Sequence, residues 1–338
     1  MATLDSLKQA LRQEAAATQA ASQQPLSDIQ YSDGFDLLVQ GSGWATYQDF
    51  IIPQLSQLLA PLFHSRGHIS VLEIGAGPKS VLGYLPSRLR RKIIRYTAFE
   101  PNGLFAARLE EWLCSTAETG EPALPCLKDL ADIRRIPFTL NDGNKDTSGA
   151  ADDKYDIVLF CHSMYGMSPK HRFIKQALSM LISQPPQDSL VIVFHRANDA
   201  LHDLDGLVCH HTATFPTGAV RIPNTDAALD TFAPFIAGFA PQATDPDTPT
   251  RTSWRKTCRA LGRHEPAAGS PGHLLFNAPS AMAAFTAQAS TALSILLAHV
   301  PAPTPPRTIK NAEARQHHQR QPATSNIASS GHCGTASR

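Results

Sequence analysis

Two glycines follow one apolar run of the chain, and an acid follows the next apolar run. Ile69–Ile74 leads into Gly75 and Gly77, and Ile93–Phe99 leads into Glu100, 23 positions beyond Gly77. Glycine has no Cβ, so backbone amides at such a turn can approach a ligand closely. In a doubly wound sheet, an acid about 20 residues beyond the glycine turn binds ribose hydroxyls. The spacing therefore predicts two buried parallel strands that hold a nucleoside.

The glycine turn also limits which nucleoside fits. A dinucleotide fingerprint has a third glycine, but Pro78 and Lys79 follow Gly77 here. Because Pro78 has no amide hydrogen, the turn supplies few donors for a pyrophosphate. A dehydrogenase is thus the weaker interpretation, and a nucleoside without phosphates, such as S-adenosylmethionine, is the stronger one.

Two short motifs carry a family resemblance. Glu73–Gly77 resembles the first motif of class I S-adenosylmethionine-dependent methyltransferases, and Phe99–Asn102 resembles their second. The resemblance implies an α/β fold, with a Rossmann-like doubly wound sheet and an N-terminal helical cap. It also implies S-adenosyl-L-methionine as cofactor, with eight binding residues: Glu73, Gly75, Ala76, Gly77, Glu100, Pro101, Asn102 and Cys161.

Polar side chains follow the predicted fourth strand. Within Lys154–His162, Asp156 is followed by an apolar run and then by polar residues, which is typical of a strand and the loop after it. Ser189–Phe194 is predicted to be a fifth strand that ends at His195. Ligands of such sheets bind at the carboxyl ends of strands, so His162, Ser163 and Tyr165 are expected to face the transferred methyl group. We interpret His162 as a general base near neutral pKa and Tyr165 as its catalytic neighbour. A strand terminus and ordinary packing remain the alternatives for these two, and His195 is interpreted as structural.

Further segments predict a sheet that continues along the chain. Ile136–Leu140 is expected to be the third strand, and residues 169–181 have the apolar stripe of a helix.

A finer resemblance concerns the acceptor. Tyr31–Phe35 and the apolar stretch after it are similar to the amino-terminal cap of histamine N-methyltransferase-like enzymes, which implies that Tyr31, Phe35 and Trp44 contact the substrate. Trp44 stands where that family has its amine-binding glutamate, so histamine itself is not the expected substrate. Asp33–Tyr47 and Phe160–Met167 also resemble fungal proteins in which this domain precedes a flavin-linked oxidase. That likeness suggests such an oxidase as a pathway partner.

Composition bounds the remaining possibilities. The chain has 338 residues, a net charge of +1 and 17% charged residues, without a basic cluster interleaved with aromatics, so neither nucleic acid nor a membrane is an expected partner. Its six cysteines form no C-x-x-C pair, which predicts no metal site and a reduced, cytoplasmic compartment. We expect a loosely docked N-terminal helix over residues 1–26, the methyltransferase domain over 27–300, a flexible insertion over 142–153 and a disordered tail over 301–338.

The sequence therefore predicts methyl transfer to the nitrogen or oxygen of a small molecule, an aromatic or amine-bearing secondary metabolite. The alternative is a protein of the same fold that holds the cofactor without methylating anything.

Overall fold

The computed structural model describes residues 1–17, 23–42, 44–116, 120–140, 153–182, 189–197, 204, 207–215, 218–241, 249–267, 270–278 and 281–289. All of them belong to one structural unit, Met1–Val300. The predicted disordered tail over 301–338 and residues 142–152 of the predicted insertion lie outside the described residues.

Helices and strands alternate along most of the chain. The helices are α1 (Leu4–Ala17), α2 (Asp28–Ser42), α3 (Ile52–Ser65), α4 (Ser87–Arg90), α5 (Gly103–Cys114), α6 (Lys170–Ser179), α7 (Asp226–Ala237) and α8 (Pro249–Leu261). The strands are β1 (Gln23–Gln24), β2 (Ile69–Ile74), β3 (Ile93–Phe99), β4 (Asp132–Arg134), β5 (Ile157–Cys161), β6 (Leu190–Ala197), β7 (Val208–Thr214), β8 (Ala219–Pro223), β9 (Ala240–Pro241), β10 (Arg263–Ala267), β11 (Ser270–Asn277) and β12 (Ala281–Gln288).

Within the described residues the main sheet has seven strands in the order β4-β3-β2-β5-β6-β12-β7. The pairs among β2 to β6 are parallel, and β12 lies antiparallel between β6 and β7. The chain runs outward from β2 through β3 to β4, then returns to β5 beside β2. This reversal confirms the predicted doubly wound α/β sheet, and it places the ligand-binding switch point between β2 and β5.

Both faces of the sheet are covered, which explains why its central strands are apolar throughout. On one face Val71 and Leu159 pack in a cluster with Leu55 and Leu59 of α3. On the other face Phe160 packs in a cluster with side chains of α6. The strands are therefore fixed from both sides, and their carboxyl ends hold loops in fixed positions.

The expectation of a loosely docked helix at residues 1–26 is wrong for α1. Leu7 and Leu11 are fully buried, and the Trp254 indole Nε1–H donates to the Leu11 carbonyl at 2.8 Å. The apolar stripe of α1 packs in a third cluster, built mainly by α7, α8, β8 and β11. Those elements come more than 200 residues later in the chain, so the local sequence cannot show that the stripe has a partner.

The third strand is displaced from its predicted position. The observed strand is Asp132–Arg134, and the predicted Ile136–Leu140 has no regular structure. Pro137 cannot donate to a sheet ladder, which disfavours a strand there. Phe138 is nevertheless buried, because its ring packs edge-on against Phe99 at 5.3 Å between centroids. The apolar side chain of Phe138 thus packs from a loop and not from a strand.

Candidate cofactor and acceptor site

One cavity of about 890 Å³ lies at the carboxyl ends of β2, β3 and β5, at the switch point. Its volume is near the upper end of the range of about 300–1,000 Å³ for small-molecule sites. The structure brings eleven of the predicted site residues to its wall: Tyr31, Phe35, Trp44, Gly75, Ala76, Gly77, Glu100, Pro101, Asn102, Cys161 and His162. Two predicted residues, Glu73 and Tyr165, are not part of the wall.

The glycine turn has a different constraint at each glycine. Gly75 and Gly77 both have positive φ, 65° and 68°. A Cβ on Gly75 would lie 2.6 Å from the Cβ of Ser163, in the loop after β5. A Cβ on Gly77 would have no atom within 4 Å. Gly75 is therefore required for packing between two loops, whereas Gly77 faces open space on the cavity wall.

Glu100 holds the glycine turn against the tip of β3. Its Oε2 accepts from the backbone N–H of Gly77 at 2.8 Å, and its Oε1 accepts from that of Asn102 at 3.0 Å. Burial raises the pKa of the Glu100 carboxyl above its ordinary value, and the two backbone bonds act in the opposite direction. A carboxylate has about four acceptor positions, so two more donors can still bind.

A clamp formed by Asp28 and Asn102 joins α2 to α5 beside Glu100. Asn102 caps α5, because its Oδ1 accepts from the N–H groups of Leu104 and Phe105, both at 3.0 Å. Its Nδ2–H donates to the Asp28 carbonyl at 3.2 Å, and the Asp28 carboxylate accepts from Gly103 N–H at 2.7 Å. Sequence reasoning missed Asp28, although an acid at a helix start is a recognisable signal.

Aromatic rings line the cavity at both ends. The β3 end comprises Glu100, Pro101 and Asn102 with the rings of Tyr31, Phe35 and Phe105. Phe105 lies 5.9 Å from Tyr31 and 5.0 Å from Phe35 between centroids. Tyr31 and Phe35, predicted to contact the substrate, thus lie beside residues predicted for the cofactor.

The β5 end of the cavity comprises His162 and Ser163 with the rings of Trp44, Tyr47 and Tyr84. Trp44 stacks on Tyr47 at 4.3 Å and 6°, and it lies 5.0 Å from Tyr84. Tyr47 lies 5.6 Å from the His162 ring. Tyr47 and Tyr84 were not identified from the sequence, although Tyr47 follows Trp44 by three positions, a spacing that brings side chains together on a helix.

His162 is held in an unusual backbone conformation at the β5 end. Its φ is 57°, in the left-handed region that costs a non-glycine residue about 1–3 kcal/mol. Its Nδ1 is 3.0 Å from the Tyr165 hydroxyl, which accepts from the Arg196 backbone N–H at 3.1 Å. The Tyr165 ring stacks on His195 at 4.7 Å, and Tyr165 is 53% exposed outside the cavity wall.

The expectation that His162 titrates near neutral pH is wrong. Burial, and then the positive charge of Arg196 and the nearby His195, lower the pKa of His162 from 6.5 to about 3. The imidazole is therefore neutral at neutral pH. Its Nε2 is buried and has no hydrogen-bond partner among the described residues, and the same holds for the Ser163 hydroxyl.

Glu73 lies beneath the glycine turn rather than on the cavity wall, which corrects its predicted cofactor contact. Its Oε2 accepts from the Ser80 hydroxyl at 2.5 Å and the Tyr96 hydroxyl at 2.7 Å, and burial raises the pKa of its carboxyl to about 7. Side chains alternate along a strand, so Glu73 lies on the same face of β2 as Val71, the face covered by α3. Its role is to support the segment after the turn, because Ser80 also caps Leu82 N–H at 3.2 Å.

Cys161 ends β5 on the cavity wall. Burial, and then the negative charge of Glu73, raise the pKa of its thiol well above the ordinary value. The group therefore remains a neutral thiol at neutral pH and is no nucleophile.

Over the described residues, no helix combines the length and apolar character needed to cross a membrane. The same part of the chain contains no cluster of three or more His, Cys, Asp or Glu side chains suited to a metal ion.

Comparisons with known proteins give structural likenesses at low sequence identity. No family model matches the chain, and no curated protein matches it. The YcgJ protein of Bacillus subtilis is 10% identical over 70% of this chain and 98% of that chain, with a TM-score of 0.38. The [4+2]-cyclase SpnF is 17% identical over 70% and 80%, with a TM-score of 0.36. Magnesium protoporphyrin IX methyltransferase from Synechocystis PCC 6803, solved with bound S-adenosylmethionine, is 11% identical over 51% and 74%, with a TM-score of 0.34.

Proposed function

We propose that this protein binds S-adenosyl-L-methionine and transfers its methyl group to a small-molecule acceptor. The observation that carries the proposal is the position of Glu100. Its carboxylate ends β3 at the switch point, is bound to the glycine turn and retains two acceptor positions. A pair of ribose hydroxyls is the ligand group that such a carboxylate binds in doubly wound sheets.

The residues present fit this cofactor better than a dinucleotide. The open space at Gly77 accepts a bulky group close to the backbone, and the β3 end supplies a cluster of rings against which an aromatic base can pack. Tyr31, Phe35 and Phe105 would hold the adenine, while Glu100 would hold the ribose. Pro78 leaves the turn short of amides for phosphates. When bound, the cofactor supplies an electrophilic methyl group on a sulfonium.

The acceptor is proposed to bind at the β5 end. Trp44, Tyr47 and Tyr84 form a wall of rings there, and aromatic rings prefer offset-stacked or edge-to-face partners. This wall supports a flat aromatic acceptor, such as a secondary metabolite that is methylated on oxygen or nitrogen. His162 is proposed to act on that acceptor, with Tyr165 behind it. Positioning of the acceptor is the main contribution that these residues make to the rate.

Two finer proposals rest on the sequence resemblance. The subtype would be similar to histamine N-methyltransferases, with Trp44 in place of their amine-binding acid. A flavin-linked oxidase would act in the same pathway. On the separate ground of the scattered cysteines, the cytoplasm is the proposed compartment.

A second candidate function is cofactor binding without methylation. It is favoured by the low pKa of His162, because the β5 end then lacks, among its described residues, a base that titrates near neutral pH. In this case the protein would use the cofactor as a structural element or direct a different reaction on a natural product.

Calorimetric titration with S-adenosylmethionine and with NAD tests the cofactor. We expect saturable binding of S-adenosylmethionine and none of NAD, and the reverse result would refute the proposal. Mass spectrometry of metabolites from cells with and without the gene then tests methylation. A product heavier by one methylene unit is expected, and its absence with intact cofactor binding would favour the second candidate.

A further inference from the structure

The hydrogen bonds around His162 select one tautomer of its ring. The Tyr165 hydroxyl accepts from the Arg196 N–H at 3.1 Å and lies 3.0 Å from Nδ1 of His162. A phenol is a better donor than a neutral imidazole N–H, and an imidazole nitrogen is a better acceptor than a phenol oxygen. The hydroxyl hydrogen therefore lies between Tyr165 and Nδ1, which leaves the ring's own hydrogen on Nε2.

That Nε2–H group is buried at the cavity wall without a partner among the described residues. The next residue, Ser163, also lines the cavity and has a buried hydroxyl without a partner within the same described part of the chain. Buried polar groups in native proteins are nearly always paired. Two adjacent exceptions on one cavity wall therefore indicate that a polar atom of a ligand in the cavity binds both of them. Both groups can donate a hydrogen bond, and the ligand atom must then accept.

Charges of both signs act on this end of the cavity. Burial and then the positive charge of Arg196 lower the pKa of His162, whereas the negative charge of Glu73 contributes to the raised pKa of Cys161. The Glu73 carboxylate accepts from the Ser80 and Tyr96 hydroxyls away from the cavity wall, so the group that faces an acceptor is the Nε2–H of His162. A fixed N–H donor favours an oxygen with negative charge and disfavours an ammonium group, which has no lone pair with which to accept.

We propose that His162 donates its Nε2–H to an anionic oxygen of the acceptor, a phenolate or an enolate, and that Tyr165 is the positioning residue that fixes this tautomer. This proposal rests on the proposed function and selects oxygen as the methylated atom. An anionic oxygen has three lone pairs, so it can accept the N–H bond and still attack. An amine nitrogen has one lone pair, and the same hydrogen bond would block it.

The proposed methyl transfer needs no general base from the protein. The acceptor loses its proton to water before or during binding. Its oxygen then gains the methyl group as the carbon–sulfur bond breaks and the electron pair stays on sulfur. A negative oxygen and a positive sulfur both become neutral, so the transfer itself releases no proton.

Two-bond ¹⁵N–¹H correlation spectra of the full chain, labelled in its 14 histidines, test the tautomer. The His162→Asn variant identifies the His162 signals by their loss. At neutral pH we expect Nε2 protonated and Nδ1 unprotonated, and Tyr165→Phe, which keeps the ring stacked on His195, should convert this into a mixture. Tyr155→Phe loses a hydroxyl outside the cavity and should give the parental spectrum. A proton on Nδ1 in the parent, or no change in Tyr165→Phe, overturns the proposal.

The acceptor atom is tested with matched pairs of planar phenols and anilines, for example 1-naphthol and 1-naphthylamine. We expect methylation of the phenols, with kcat/KM reduced about ten- to a hundredfold in His162→Phe, in keeping with a lost hydrogen bond to a charged group. Turnover of the anilines alone, or of neither series, overturns the oxygen acceptor. Calorimetry on the same samples separates the two failures, because absent binding of S-adenosylmethionine refutes the proposed function itself.

Discussion

The two ends of the cavity are built on different principles. At the β3 end a carboxylate and several backbone N–H groups are already paired, through Glu100, Gly77 and the clamp between Asp28 and Asn102. At the β5 end two polar atoms are buried without partners among the described residues, beside the rings of Trp44, Tyr47 and Tyr84. The first end is preorganised for one ligand group. Under the proposed function the second is completed by its ligand, and selectivity for the acceptor would then depend on side chains.

The largest effect on stability is expected at Gly75, where the glycine turn packs against the loop after β5. Gly75→Val places a branched side chain on a positive φ, with its Cβ 2.6 Å from the Cβ of Ser163, so we expect about 2–5 kcal/mol of lost stability from strain and overpacking. Urea unfolding measures it. Gly77→Val is the matched control, because its Cβ meets open space and only the backbone strain of about 1–3 kcal/mol remains. Its main loss should be cofactor affinity, and equal destabilisation of both variants would contradict this distinction.

Removing the carboxylate at the β3 end should give the next largest effect. Glu100→Ala is expected to weaken S-adenosylmethionine binding by one to two orders of magnitude, which corresponds to about 1.5–3 kcal/mol for hydrogen bonds to a charged group. Calorimetry measures the affinity, and circular dichroism confirms folding. Glu111→Ala, on the exposed side of α5, is the control and should bind as the parent does. Unchanged affinity in folded Glu100→Ala would remove Glu100 from the cofactor site.

At the β5 end, Trp44→Ala should affect the acceptor and spare the cofactor. Loss of the ring stacked on Tyr47 is expected to lower kcat/KM for an aromatic acceptor about tenfold or more, since an aromatic pair contributes roughly 0.5–1.5 kcal/mol beyond its buried area. Trp44→Phe keeps a ring and should retain most activity. If Trp44→Ala weakens S-adenosylmethionine binding equally, the two ends are not separate subsites.

The last prediction concerns the pH dependence of stability in the buried layer beneath the glycine turn. Burial raises the pKa of Glu73 from 4.5 to about 7, so the folded state binds more protons than the unfolded state between these values. Stability from this group is present below pH 4.5 and is lost as the pH rises through 7, with a magnitude of about 1–3 kcal/mol. We expect the melting temperature of the parent to fall more between pH 5 and pH 8 than that of Glu73→Gln. Parallel curves would show that Glu73 ionises normally.

Sequence patterns located the glycine turn and the acid of the β3 end but not the surroundings of His162 and Glu73, for a physical reason. Gly75, Gly77 and Glu100 are fixed by main-chain geometry, which short motifs encode. The role of Tyr165 depends instead on the Arg196 amide of another strand, and the burial that lowers the pKa of His162 is likewise a tertiary effect. The direction of the Glu73 carboxyl, away from the cavity wall, is also a tertiary effect. Contacts between distant segments decide these features, and no local pattern carries them.

The position of β12 has a consequence for how the protein is made. This strand, Ala281–Gln288, lies between β6 and β7, which precede it by about 70 to 90 residues. During synthesis β6 and β7 cannot reach their final arrangement until residue 288 has left the ribosome, and α1 must also wait for α7 and α8. Such long-range pairing slows folding and leaves strand edges open to wrong partners. The apolar stripe of α1 and the edge of β6 are therefore without their final partners for most of translation.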